Sequence, residues 1–209
     1  MFDIEYKGAN AVVITTKKIK LLVDPKLSVV GLKDLATKDN VVIATDREFA
    51  LYADDLLLTI DGPGEYEVSD VSVKAIAVDR HGSANGSKEL TMYRIEIGDV
   101  RIAVLGNIAP ELSETQQEAL GVIDMAIMPV GGGGTLSALQ AANLARTIEA
   151  KVIIPVHYAD SAITYAEPQE SLDAFKKEFN SEVEQTAKYK VKASASIPSA
   201  NTIVEISRS

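Results

Sequence analysis

The chain of 209 residues contains two histidines and no cysteine. Without cysteine there is no thiolate nucleophile, no disulfide framework and no sulfur-ligated metal. Imidazole chemistry rests on His81 and His157, either of which can act as an acid or a base near neutral pH. Asp46 and Glu48 stand two residues apart. On an extended segment such residues share one face, so the two carboxylates could converge on a cation. The plainer reading, with Arg47 between them, is two solvated loop carboxylates. Gly131–Gly134 precede Thr135 and a helical stripe, a place where backbone N–H groups can face an anion. The run lacks the Lys-Ser/Thr ending of a phosphate-binding loop and reads first as a turn. Glu65 lies in the tight turn Gly62-Pro63-Gly64-Glu65-Tyr66, a spare acid that nothing requires. No Gly-x-Ser-x-Gly nucleophile elbow occurs, although a triad assembled in space needs none.

These residues must be positioned by the elements around them. Phe2–Glu5 reads as a strand start, and Ala11–Thr16 and Ile19–Val23 as a hairpin across Lys17-Lys18. The compact apolar run Val41–Thr45 predicts a strand covered on both faces. Leu56–Ile60 follows, then hairpins at 66–78 and at 91–105 turned by Ser69-Asp70 and Gly98-Asp99, with a polar loop over 80–88 between them. Beyond this the rhythm changes. Ser113 with Gln116 three residues later predicts a capping box opening a short helix to Ala119. Strands at 122–130 and 151–158 alternate with helices over 135–150 and 167–179, and 202–206 predicts a closing strand. The stretch 181–200 is polar and weakly patterned, expected to be irregular or mobile. A strand-rich half followed by strand–helix alternation predicts one α/β (α+β) domain over 1–209, two sheets in contact with helices outside.

Composition limits the partners. Apolar residues make up 46% of the chain, enough for a full core, so the protein is not disordered. A net charge of −9 gives a poor surface for phosphate backbones, and no nucleic-acid partner is expected. The acidic N-terminal segment is unlike a secretory leader, and no apolar stretch reaches the ~18–20 residues of a membrane span. A cytoplasmic location is expected.

Five punctuated segments, in order, carry a resemblance: Leu22-Val23-Asp24-Pro25, GPGEYEV at 62–68, Leu105-Gly106-Asn107, Met128-Pro129-Val130-Gly131-Gly132 and Ile154-Pro155-Val156-His157-Tyr158. The series resembles the metallo-β-lactamase-fold hydrolases, especially the compact branch related to ascorbate-6-phosphate lactonase, over about residues 3–180. The resemblance implies a four-layer αββα sandwich with its site at one edge. It also implies one or two Zn²⁺ ions held by a His-x-His-x-Asp-His motif, a further His, a bridging Asp and a last His, which activate a water for attack on a carbonyl or phosphoryl group.

Placed on that motif, this chain departs from it. Asp46 and Glu48 fall on the first two histidine positions, and Ala50 and Leu51 on the Asp-His pair. Asn107 takes the place of the bridging Asp, and Gly8-Ala9-Asn10 stands where the branch often has Gly-His-Ser. His81 and His157 fall on the second and last histidines. A binuclear zinc site is not expected, because the second position would retain only Asn107 and His157. A first position built from Asp46, Glu48, His81 and Asn107 suits a single Mn²⁺, Mg²⁺ or Ca²⁺ better than Zn²⁺. The leading expectation is a degenerate hydrolase-like protein with no metal cofactor and a binding or scaffold role, its old cleft open to a small molecule or its sheet edges to a second copy. The alternative is a mono-metal hydrolase of an ester, lactone or phosphoester, with His157 beside the substrate as the candidate catalytic residue.

Overall fold

Two twisted sheets lie face to face. The computed structural model describes residues 1–83, 86 and 89–209, so residues 84, 85, 87 and 88 of the polar loop lie outside the described residues. The strands are β1 (Phe2–Gly8), β2 (Ala11–Thr15), β3 (Lys20–Val23), β4 (Val41–Ile43), β5 (Leu58–Ile60), β6 (Gly64–Val68), β7 (Val71–Val78), β8 (Leu90–Ile97) and β9 (Val100–Val104). Then come α1 (Glu114–Leu120), β10 (Met125–Pro129), α2 (Ala138–Thr147), β11 (Val152–Val156), α3 (Leu172–Phe179), β12 (Glu182–Thr186), β13 (Tyr189–Val191) and β14 (Thr202–Ile206). One sheet has six strands in the order β13-β1-β2-β3-β4-β5, and the other has eight in the order β12-β14-β11-β10-β9-β8-β7-β6.

The period-two alternation of each strand decides which layer it feeds. Ile4, Tyr6, Val12, Ile14, Leu21, Val23, Val41 and Ile43 point inward and meet Val73, Tyr93, Ile95, Ile102, Ile127, Ile154 and Val204 of the other sheet in one core. The alternate residues of the eight-stranded sheet, among them Met92, Ala103, Ala126, Met128, Ile153 and Ile203, face outward under α1, α2 and α3. Those of the six-stranded sheet, Val13, Leu22 and Val42, lie under Leu35, Leu51 and Leu56. The outer layer there is thin, made of loops and a 3-10 turn at Leu27–Val30 whose side chains pack on Ala9 and Ala11. A mixed α+β architecture with few helices results.

Local signals account for the helix starts. Ser113 and Gln116 form the expected capping box, and Ser137 with Gln140 forms a second one opening α2. The helix expected over 135–150 is confined to Ala138–Thr147, because residues 131–136 form a turn, with the Gly132 N–H donating to the Leu136 carbonyl at 2.9 Å. The polar stretch 181–200, expected to be irregular, holds β12 and β13 instead. Its charged residues sit on sheet edges: β12 pairs with β14 alone, and β13 with β1 alone. β12 is exposed along most of its length and lacks the apolar alternation that marks a strand, whereas β13 alternates, Tyr189 and Val191 entering the inter-sheet core either side of exposed Lys190.

Gly106, just after β9, has φ +64°, and a Cβ on it would stand 2.6 Å from the Thr45 side chain arriving from the other sheet. Gly82 also has a left-handed φ, +78°, but a Cβ on it would meet nothing among the described residues within 4 Å. Gly106→Ala should therefore cost ~3–4 kcal/mol, combining backbone strain with overpacking, whereas Gly82→Ala costs ~1–2. Urea unfolding of the two variants checks this contrast.

Candidate functional site

The chemistry-bearing residues gather where strand ends from both sheets meet. Asp24 follows β3, Thr45 and Asp46 follow β4, Arg80 and His81 follow β7, Asn107 follows β9, and His157 follows β11, while Asn10 sits in the turn between β1 and β2. Residues 79–81 are zipped to 107–109: the His81 N–H donates to the Asn107 carbonyl at 2.9 Å and the Ala109 N–H to the Asp79 carbonyl at 2.8 Å.

Asp24 is wholly buried, and its carboxylate accepts from the Thr45 N–H and from the Thr45 hydroxyl, both at 2.7 Å. Burial pushes its pKa up to about 7, aided by the nearby charge of Asp46 and opposed by the two Thr45 hydrogen bonds. Thr45 in turn accepts the Thr91 N–H at its carbonyl, 3.0 Å away. The Tyr93 hydroxyl reaches across from β8 to the Ala44 carbonyl at 2.6 Å. The end of β4 is thus fixed from both sides.

His157 is buried with a left-handed φ of 51°, uncommon outside glycine. Three contacts hold it. Its N–H donates to the Ala9 carbonyl at 2.8 Å, its Nδ1 lies 3.1 Å from Asn10 Oδ1, and its ring stacks on Tyr165 with centroids 4.7 Å apart. Asn10 Nδ2 donates to Asn107 Oδ1 at 2.8 Å, which leaves Asn10 Oδ1 as the acceptor and puts the His157 proton on Nδ1. Burial lowers the His157 pKa to about 4, so the ring is neutral at pH 7 with its lone pair on Nε2.

Asp46 does not converge with Glu48. Asp46 caps a 3-10 turn at Arg47–Phe49, its Oδ1 accepting the Glu48 N–H at 3.0 Å. That turn breaks the extended geometry on which convergence depended, and Glu48 is exposed. Asp46 Oδ2 is taken by Arg80 Nη2 at 2.6 Å, and Arg80 Nε reaches Glu89 at 3.3 Å. His81 lies half-buried at the start of α2, its Nε2 3.3 Å from Gln140 Oε1. Among the described residues, no group of three or more His, Cys, Asp or Glu is placed to hold a metal ion. The four-donor set therefore does not fit a metal as arranged, since two of its oxygens, Asp46 Oδ2 and Asn107 Oδ1, are occupied by protein donors. His157 Nε2, outside that set, takes part in none of the hydrogen bonds described.

Glu170 Oε2 accepts the Ala138 N–H at 2.7 Å, capping α2 from within the chain, and Gly131 and Gly133 lie too close to 157–169 to carry a Cβ. Sequence reasoning missed Arg80, read there only as the first residue of a loop, and Asn10, read only as a departure from a motif. A basic residue beside His81 and an amide in the first hairpin turn were the available signals.

A model described as "Beta-lactamase superfamily domain" matches residues 3–157. The chain belongs to this family. It is 28% identical over 127 residues to a UPF0173 metal-dependent hydrolase of Hyperthermus butylicus, a match covering 56% of this chain and 51% of that protein. It is 31% identical over 116 residues to a UPF0173 protein of Pyrococcus furiosus, covering 54% and 48%. The chain thus spans about half the length of the curated relatives it matches. Its fold is similar to that of a Thermotoga maritima protein described as a Zn-dependent hydrolase of the metallo-β-lactamase superfamily, with TM-score 0.78, 22% identity and 99% of each chain covered. It is also similar to Igni18, a metallo hydrolase from Ignicoccus hospitalis, with TM-score 0.63, 15% identity, and 99% of this chain and 95% of that one covered.

The buried pair Asp24 and His157 pull stability in opposite directions with pH. Asp24 has its folded pKa raised, so its contribution is full below ~pH 4 and is lost as pH rises toward 7. His157 has its folded pKa lowered, so its contribution is full above ~pH 6.5 and is lost as pH falls toward 4. Between pH 4 and 6.5 the two largely cancel. Asp24→Asn should leave a stability that climbs with pH through this window by a few kcal/mol, and His157→Asn one that falls. Melting curves at half-unit pH steps test both slopes.

Proposed function

We propose that this protein is a metallo-β-lactamase-fold member that no longer assembles the binuclear zinc centre and serves as a binding or scaffold protein. The observation that carries the reading is the spent carboxylate of Asp46, which stands at the first motif position and is paired with Arg80. Asn107, at the bridging position, supports it by accepting from Asn10. Ala50 and Leu51, at the Asp-His positions, offer no donor. The reading keeps the lactonase-like branch as the origin of the fold and the cytoplasm as the working compartment. It takes a small molecule or a second copy of the chain as the partner. A neutral His157 with a free Nε2 would then accept a hydrogen bond from a ligand at the cleft edge.

A second reading is favoured by the relatives named metal-dependent hydrolases: a hydrolase with one divalent metal on Asp46, Glu48, His81 and Asn107. It would require the loop at 46–49 to rearrange and Arg80 to release Asp46.

Elemental mass spectrometry of untagged protein purified without chelator separates the two. The binding reading expects less than ~0.1 equivalent of any transition metal, unchanged after incubation with Zn²⁺ or Mn²⁺. About one equivalent, lost in both Asp46→Ala and His81→Ala together with ester or phosphoester hydrolysis, would establish the enzyme instead.

A further inference from the structure

We propose that Arg80 supplies the cleft's cation from within the chain, its guanidinium cross-linking the two sheets where a metal ion would otherwise join them. The inference rests on the metal-free reading above and says what replaces the ion.

Asp46 belongs to the six-stranded sheet through β4, and Arg80 to the eight-stranded sheet through β7. Their contact at 2.6 Å therefore spans the sandwich at its functional edge. The Asp46 side chain is only 10% exposed, so its carboxylate has little water to solvate it and depends on a local cation. The guanidinium is well suited to this, being always charged and able to donate several directed hydrogen bonds at once. Arg80 uses Nη2 for Asp46 and Nε for Glu89, and its backbone bridges to Ile108, which fixes its root beside Asn107. Among the described residues, Arg80 thus ties Asp46 and Glu89 together through one guanidinium. A few residues away, Asn10 of the six-stranded sheet joins Asn107 and His157 of the eight-stranded one. Ionic and amide cross-links together close the edge.

Melting temperatures of the full chain, measured with EDTA, with Zn²⁺ and with Mn²⁺, test this. The parent should be indifferent to all three, within ~1 °C. Arg80→Met should melt ~3–8 °C lower, because an unpaired carboxylate is left in the edge. That variant should regain part of the loss with Mn²⁺ or Zn²⁺, since the freed Asp46 now welcomes a cation. The double variant Asp46→Asn with Arg80→Met should melt above Arg80→Met alone and should not respond to either metal. If Arg80→Met does not fold, recovery of folding in the double variant carries the same conclusion. Equal melting of parent and Arg80→Met, or additive losses in the double variant, in protein free of metal, would overturn the proposal and leave the metal-free reading standing. A parent that holds a stoichiometric metal and loses stability in EDTA would overturn that reading, and the proposal with it.

Discussion

Where two sheets end together, polar groups that lie too deep for water must find partners in one another. The functional edge of this protein is governed by that constraint. Asp24, Thr45, Asn10 and His157 are all buried there, and a buried polar group without a partner costs on the order of 1–3 kcal/mol. Thr45 meets Asp24 within its own sheet and Thr91 from the opposite one, while Asn10 turns one amide toward both His157 and Asn107. Each bond across the gap satisfies a group and also fixes the spacing of the sheets. The left-handed backbone of His157 is a local strain held by this network, and the close approach to Thr45 is open to Gly106 because it carries no Cβ.

The inter-sheet core does not depend on that edge. It is filled by alternate residues of both sheets, and the strand ends that carry the site lie at its margin. Such a layered fold can exchange its site residues while the sandwich stays intact. A structural likeness at 22% identity over 99% of each chain fits this: the sandwich is shared where the sequence has drifted.

The fold was legible in the sequence wherever local chemistry repeats with a fixed period. The hairpins turned by Lys17-Lys18, Ser69-Asp70 and Gly98-Asp99, and the Ser113–Gln116 capping box, follow from short-range rules. Strand β12 was not legible, because it is exposed and carries little apolar pattern, and β13, though Tyr189 and Val191 alternate with Lys190, is too short to stand out without its long-range pairing to β1. The site was legible only as a set of positions. His157 could be placed from its Pro-Val-His-Tyr context, yet its partner Asn10 lies 147 residues away. The partner of Asp46 was not legible for the same reason. Glu48 is near in sequence, but the 3-10 turn that Asp46 caps sends it outward, and Arg80, 34 residues on, takes the carboxylate.

The apolar residues beside Asp46 extend the argument. Ala50 is buried, and Leu51 packs under the six-stranded sheet with Leu35 and Leu56 against Val13, Leu22 and Val42. These are the positions where the resemblance expects an Asp and a His. A carboxylate introduced at Ala50 would be buried at a cost unless a cation came with it, and an imidazole at Leu51 would displace apolar packing. Asp46 is held by Arg80, and the side chains at 50 and 51 are apolar, so neither of those two positions offers a donor beside it.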